Sequence, residues 1–126
     1  MRIVSSAVSL TVDDVPASSK FLETHFGFAE RMAADGFASL GHDDAAMDVV
    51  FLRRGLEVLP EPLRDSTASG TIVAFVVDNL EAEQDRLRAE GVEITLPLRE
   101  EPWGERLFMV TDPNGIAYEL VEWPAP

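Results

Sequence analysis

The chain has 126 residues, with 10 Lys and Arg against 23 Asp and Glu, which gives a formal net charge of −13. This length fits one domain, and the excess of negative charge argues against a nucleic-acid partner, because binding phosphates requires a basic face. The chain contains no cysteine, which excludes a disulfide framework, a thiolate metal site and a cysteine nucleophile.

The start of the chain predicts a strand and no targeting segment. Residues 3–12 alternate between apolar and small or polar side chains, a period that predicts a strand with one face on a core. Residues 1–6 lack the apolar stretch of a secretory signal, and no apolar run approaches the roughly 18 residues that span a bilayer. We therefore expect a soluble, cytoplasmic protein without a membrane partner.

A helix and three short strands complete the first half. After Asp14 and Pro16 end the first strand, an apolar stripe has helical spacing. Its members are Phe21, Leu22, His25 and Phe26. Gly27 has the usual position of a helix end. Strands are predicted at residues 28–33, 37–40 and 47–53, separated by turns at residues 35–36 and 41–44.

The second half repeats the order of the first. Val12 and Val77 end the first strand of each half, 65 positions apart, and Gly27 and Gly91 end each helix, 64 positions apart. After the helix, which ends near Glu90, the remaining predicted segments are strands at residues 93–96, 106–111 and 116–123, a loop at 97–104 and a turn at 112–115. Such a repeat indicates a duplicated unit of one strand, one helix and three strands.

The predicted fold class is α+β. We expect one domain, residues 1–126, made of a module at 1–55, a linker at 56–70 that contains Pro60 and Pro62, and a module at 71–126. Each helix covers only one face of its βαβββ sheet. The two curved sheets are therefore expected to form a barrel-like bowl with the helices outside, a shape that holds small ligands.

Short motifs in both halves resemble the vicinal oxygen chelate superfamily, which includes glyoxalase I, bleomycin-resistance proteins and extradiol dioxygenases. They are Val12-Asp13-Asp14-Val15, Val77-Asp78-Asn79-Leu80, and Asp112-Pro113-Asn114-Gly115 followed by Tyr118-Glu119-Leu120. The resemblance covers nearly the whole chain, and the final motif is its most specific part. It implies paired βαβββ modules and, commonly, a homodimer.

The resemblance also implies where a metal ion would be held. The ligand positions of the metal-dependent members, usually His or Glu, fall here on Ala7, Val50, Ile72 and Glu119, with Asp48 on the same face as Val50. Only Glu119 and Asp48 have donor atoms, whereas Zn²⁺ and Fe²⁺ sites need at least three protein ligands. We therefore expect no metal, no cofactor and no catalytic residue, and structural roles for His25 and His42.

A ligand cavity remains as the expected functional feature. The candidate lining residues are Phe37, Met47, Asp48, Phe51, Trp103, Phe108 and Glu119. Phe51 and Phe108 are expected either to belong to the ordinary core or to line the cavity. Trp103 is expected either to stack on a planar ligand or to pack its own loop. Glu119 is expected either to pair with Arg106 or Arg31, or to meet a polar or cationic group of the ligand, because a buried carboxylate without a partner is costly.

Three functions follow from these residues. The first is a metal-free binding protein of the bleomycin-resistance type, which sequesters an aromatic antibiotic or metabolite. A cationic group on that ligand is one option. The alternative is a metal-dependent lyase, isomerase or dioxygenase with a displaced metal site. In the third, the cavity is filled by the protein's own side chains and the domain acts through protein contacts.

Overall fold

The computed structural model describes residues 1–124, which contain eight strands and three helices. The strands are β1 (Ala7–Val12), β2 (Ala29–Ala34), β3 (Phe37–Gly41), β4 (Asp48–Arg53), β5 (Ile72–Val76), β6 (Ile94–Glu100), β7 (Arg106–Thr111) and β8 (Ala117–Glu122). The helices are α1 (Val15–Phe26), α2 (Glu61–Arg64) and α3 (Leu80–Ala89). The α+β class and the two βαβββ repeats are confirmed.

The chain divides into two compact units, Met1–Ser69 and a second that begins at Gly70. In the first unit the sheet order is β1-β4-β3-β2, with β1 parallel to β4 and the other pairs antiparallel. Helix α1 covers one face of this sheet, where Leu10, Leu22 and Phe51 are buried. We call the other face, which carries Ala7, Ser9, Phe37, Ser39, Asp48 and Val50, the first open face.

The second unit repeats this arrangement. Its sheet order is β5-β8-β7-β6, with β5 parallel to β8. Helix α3 covers the face on which Leu87, Phe108 and Tyr118 are buried. The opposite face, the second open face, carries Ile72, Ala74, Val76, Met109, Ala117 and Glu119. Each unit therefore has one face covered by its helix and one face free of it.

Both long helices begin at a polar cap. The side chain of Asp14 accepts a hydrogen bond from the backbone N–H of Ala17 at 3.2 Å, and that of Asn79 accepts one from Ala82 at 3.2 Å. These caps satisfy N–H groups that the first helical turn leaves without a partner. Among residues 1–124 no helix has the length and apolar character needed to cross a bilayer.

Strand β1 begins at Ala7, so the prediction of a strand from Ile3 is wrong at its start. Ile3 and Val4 are 72% and 83% exposed. The register with β4 begins at the pair Ala7–Asp48, and residues 42–47 before it form a turn. Residues 3–6 thus precede the paired strand, although the carbonyl of Ser6 accepts a hydrogen bond from the backbone N–H of Asp48 at 3.0 Å.

Strand β6 continues to Glu100, so the prediction of a loop from Pro97 is also wrong. Pro97 lies inside β6, which is an edge strand with two register shifts against β7. An edge strand tolerates proline because one side of its backbone has no ladder partner. The remaining predicted strands agree with the structure to within one residue at each end.

The segment expected as a linker contains α2 and is bonded to the first unit. The backbone N–H of Ala68 donates to the carbonyl of Thr11 at 2.8 Å, and that of Gly55 donates to Arg64 at 2.8 Å. The first bond joins the segment to β1, and the second joins it to the residues that follow β4. The first unit accordingly extends to Ser69.

The turn before β8 is organised by a buried aspartate. One carboxylate oxygen of Asp112 accepts hydrogen bonds from the N–H groups of Asn114 at 2.8 Å and Ile116 at 3.0 Å. Its other oxygen accepts from the hydroxyl of Tyr118 at 3.3 Å. Burial first, and then the negative charge of Asp112, raise the pKa of Tyr118 far above its ordinary value.

Tyr118 is the chain's only tyrosine, so its ionisation can be followed without interference. Its pKa is raised on folding, so Tyr118 contributes stability that is complete below the unfolded pKa of about 10 and is lost as the pH rises above it. We expect no tyrosinate absorbance at 295 nm while the far-ultraviolet circular dichroism is native. Ionisation and unfolding should occur together, whereas titration near pH 10 in a folded protein would contradict the burial.

Candidate ligand-binding site

The structure places three of the candidate ligand residues at the first open face or its border. Phe37 and Asp48 are half-buried on that face, and Met47, 40% exposed, directly precedes β4. Phe51 lies on the opposite face, under α1, and is 0% exposed. Of the two roles that the sequence left open for it, the structure supports the core, because successive residues of β4 point to opposite faces.

The second unit separates its candidates in the same way. Glu119 lies opposite Met109 in the register of β7 and β8, whereas Phe108 lies opposite Leu120. Phe108 is therefore on the face covered by α3 and is 0% exposed. Glu119 and Trp103 remain as the candidates of this unit that have surface available to a ligand.

The donor set on the open faces does not fit a catalytic metal ion. Ala7 and Ile72 begin β1 and β5, and their side chains have no lone pair to donate, as is also true of Val50. Glu119 is the one donor among the four positions that the family resemblance implies. Within residues 1–124, no three His, Asp or Glu side chains are grouped closely enough to hold a metal.

The two histidines make local contacts. The ring of His25 packs edge-on against Phe21 with centroids 5.1 Å apart. The ring of His42 lies 5.2 Å from that of Phe28, and its Nδ1 accepts a hydrogen bond from the backbone N–H of Asp44 at 3.0 Å. These contacts hold the end of α1 and the turn after β3 in place.

Glu119 occupies an apolar part of the second open face. Its neighbours across the two adjacent strands are Ala74 and Met109. Burial is the main reason that the pKa of Glu119 is raised above the ordinary value, and the negative charges of Glu105 and Glu101 raise it further, against the opposing effect of Arg99. The carboxylate is therefore poorly compensated by its surroundings.

Neither of the two arginines considered from the sequence pairs with Glu119. Arg106 donates to Glu122 at 2.8 Å and also to Glu81. Arg31 lies 3.8 Å from Asp43. Within the described part of the chain, no cation is in ion-pair contact with Glu119, because these arginines are engaged elsewhere.

The connection between β6 and β7, residues 101–105, is a tight turn that we call the hairpin tip. The N–H of Gly104 donates to the carbonyl of Glu101 at 2.9 Å, and the N–H of Glu101 donates to Glu105 at 2.7 Å. Gly104 has φ +93°, a left-handed conformation that favours glycine. This geometry leaves the side chain of Trp103 64% exposed.

The hairpin tip connects Trp103 to the surroundings of Glu119. The indole Nε1 of Trp103 donates to the carboxylate of Glu105 at 3.2 Å, and Glu105 is the nearby charge with the largest effect on Glu119. Arg99 pairs with Glu101 at 2.6 Å. Sequence patterns did not indicate Glu105, Glu101 or Arg99, because they predicted a loop from Pro97 to Gly104, whereas β6 continues to Glu100 and a tight turn follows it.

This arrangement suits a flat ligand with a positive charge. The exposed indole of Trp103 offers an aromatic face, which attracts both planar groups and cations. Glu119 offers a charged acceptor in a partly desolvated position, where a charge-assisted hydrogen bond is stronger than in water.

Comparisons with known proteins agree with this fold. The sequence model of the Glyoxalase/Bleomycin resistance protein/Dioxygenase superfamily matches residues 4–120. No curated protein is significantly similar in sequence. A glyoxalase/bleomycin resistance protein/dioxygenase from Nocardioides is 23% identical, with a TM-score of 0.77 over 98% of this chain and 85% of that one.

Two further solved structures show the same likeness. Lactoylglutathione lyase from Agrobacterium tumefaciens is 18% identical, with a TM-score of 0.76 over 96% of this chain and 94% of that one. A superfamily member from Sphaerobacter thermophilus DSM 20745 is 21% identical, with a TM-score of 0.75 over 96% and 98% of the two chains. At these identities the likeness shows the fold.

Proposed function

The chain belongs to the glyoxalase/bleomycin resistance protein/dioxygenase superfamily, and from this premise we propose that it binds a small aromatic molecule with a positively charged group and holds it without chemical change. The ligand class is an antibiotic or metabolite, and the action is sequestration. Phe37, Met47 and Asp48 are proposed separately, as ligand contacts of the first open face within the first unit.

The observation that carries the proposal is the environment of Glu119. Its carboxylate is half-buried among apolar neighbours, and its pKa is raised by burial and by Glu105. Arg99, the positive charge that opposes this rise, is paired with Glu101. An ionised carboxylate in such a place costs free energy unless a cation meets it. A ligand cation at this position removes that cost, which makes charge a part of the recognition.

Binding without conversion is supported by the donor set. Ala7, Val50 and Ile72 stand at positions where a metal-dependent relative would need ligands, and their hydrocarbon side chains coordinate nothing. We therefore assign the chain no metal-assisted step. Its residues orient a ligand through an aromatic face and a carboxylate, and they exclude water through the apolar surface of Ala74 and Met109.

Sequestration sets a requirement on affinity. Each protein molecule removes one ligand molecule, so protection increases with the protein concentration relative to Kd. A sub-micromolar Kd, which corresponds to about −8 kcal/mol or better, is needed for useful depletion. We expect the ligand to be found by native mass spectrometry against DNA-damaging natural products and planar cationic dyes.

Replacement of Trp103 by alanine tests the aromatic contact. We expect Trp103→Ala to weaken the best binder of that panel by about 1 to 3 kcal/mol, the usual range for an aromatic anchor. Isothermal titration calorimetry measures the change. Leu63→Ala is the control, because Leu63 is 58% exposed on α2 in the first unit, away from the hairpin tip in sequence. Equal affinity of Trp103→Ala and the parent protein would remove Trp103 from the site.

A further inference from the structure

Strand β2 is an uncovered edge of the first sheet. It pairs with β3 on one side, and the sheet order leaves its other side without a partner strand. All six of its residues are exposed. The backbone groups on such an edge are available to another extended chain.

A groove of about 860 Å³ lies between β2 and α1. Its β2–β3 side consists mainly of small residues, which are Ala33, Ala34, Gly36 and Ala38, together with Phe37. Its other side is formed by α1 and the residues before it, including Pro16, Ser19, Lys20 and Glu23. The small side chains leave room beside the strand edge for the side chains of a bound peptide.

The second half of β2 lacks three of the usual protections of an edge, which are a bulge, a proline and a charged side chain. A register shift between Glu30 and Met32 interrupts the pairing of the first half, and such bulges discourage strand addition. Residues 32–34, Met-Ala-Ala, contain neither proline nor a charged side chain. This segment is therefore the part of the edge that is open to pairing.

The charged side chains that line the groove indicate which kind of partner it binds. Five carboxylates and two cations line it: Asp13, Asp14, Glu23, Glu30 and Asp35 against Lys20 and Arg53. Arg53 pairs with Asp35 at 2.8 Å, and Arg54 pairs with Asp13 at 2.8 Å, so these two carboxylates are already compensated. Glu30 accepts a hydrogen bond from the buried hydroxyl of Ser19 at 2.7 Å, which orients its carboxylate without neutralising it. The groove is thus complementary to basic side chains.

We propose that an extended peptide with Lys or Arg side chains adds to residues 32–34 as a fifth strand of the first sheet. Main-chain hydrogen bonds to β2 supply affinity, and the basic side chains meet Glu23 and Glu30 in the groove. A second copy of this chain is disfavoured as the occupant, since it brings the same carboxylates and a net charge of −13 to the same edge. This surface is distinct from the Glu119 site.

A charge introduced into the groove tests the proposal. The probe is a fluorescein-labelled peptide of alternating Lys and Thr, six residues long to match β2, and its counterpart has Glu in place of Lys. We expect saturable binding of the Lys peptide by fluorescence anisotropy, a loss of at least about tenfold in Ala33→Lys, and little change in Ala29→Lys. Ala29 is an exposed residue of the same strand outside the groove.

A second variant tests the carboxylates without touching the strand. Glu23→Gln should weaken the Lys peptide severalfold, and Glu57→Gln, an exposed position outside the groove, should leave it unchanged. Binding should also weaken with added salt. No binding of the Lys peptide up to about 1 mM, or equal binding of the Glu peptide, would overturn the proposal.

Two other results would also count against this occupant. One is a sedimentation experiment in which the protein is a dimer that Ala33→Lys dissociates, since the edge would then be covered by a second copy. The other is displacement of the Lys peptide by an equal concentration of lysine amide, since the groove would then take a small cation and no strand.

Discussion

Replacement of Asp112 by alanine is expected to lower the free energy of unfolding by about 3 kcal/mol. Its carboxylate accepts from two backbone N–H groups in the turn before β8 and from the hydroxyl of Tyr118. Asp112 is 5% exposed and Tyr118 is 0% exposed, so water cannot replace all of these bonds. Hydrogen bonds to a charged group contribute about 1.5 to 3 kcal/mol each, and buried donors left without an acceptor add their desolvation cost.

Urea unfolding measures this loss as a shift of the midpoint at constant slope. Asp112→Asn keeps one acceptor for the backbone N–H groups and should cost less than Asp112→Ala. Asp78→Ala is the matched control, because Asp78 is exposed, and surface changes usually stay within about 0.5 kcal/mol. Equal midpoints for Asp112→Ala and Asp78→Ala would show that the turn contributes little.

Replacement of Glu119 by glutamine is expected to weaken ligand binding without lowering the free energy of unfolding. Glu119→Gln should weaken a cationic ligand at least about tenfold, or about 1.4 kcal/mol, because the charge-assisted contact is lost. The same variant should be as stable as the parent protein or more stable. The folded-state pKa of Glu119 is raised, so the folded state favours the protonated form, and stability falls as the pH rises through that raised pKa. Glutamine removes this cost at neutral pH.

The pH dependence of binding follows from the same shift. Affinity for a cation should fall as the pH is lowered through a midpoint above 4.5, the ordinary value for glutamate, because burial and Glu105 raise the pKa of Glu119. Glu119→Gln should flatten this profile. Glu93→Gln, an exposed residue of the same unit, is the matched control. A destabilised Glu119→Gln that still binds the cation normally would contradict the assignment.

Much of the fold could be predicted because its signals are local. Alternation along residues 7–12 places Leu10 and Val12 in the core, and the repeat of 64 to 65 residues between halves identifies the second unit. Caps such as Asn79 use side chains within the same helical turn. These features depend on a few neighbouring residues, and the sequence displays them directly.

The predicted strand ends were wrong where pairing with a distant strand determines how far a strand extends. Whether residues 3–6 extend β1 depends on the start of β4, some forty positions later, and the continuation of β6 through Pro97 depends on its position at the edge of the sheet. Local patterns do not contain either fact. Pro97 therefore predicted the end of the strand, whereas β6 continues through it.

The candidate site could be predicted only in part for the same reason. The final motif, with Tyr118-Glu119-Leu120, was sufficient to identify Glu119. The aromatic character of Phe51 and Phe108 left a core role and a lining role open, and the pairing of β4 and β7 places both side chains on helix-covered faces. Glu105 approaches Glu119 across a bulged hairpin, and no sequence spacing predicts that approach.

Native mass spectrometry tests most directly whether the protein binds its ligand without converting it. The protein is purified without chelator and incubated with the aromatic cation that binds it best. We expect one ligand of unchanged mass per binding site, weaker occupancy in Glu119→Gln, and no bound divalent ion. A stoichiometric metal that Glu119→Gln removes, or a ligand released with an altered mass, would contradict this account.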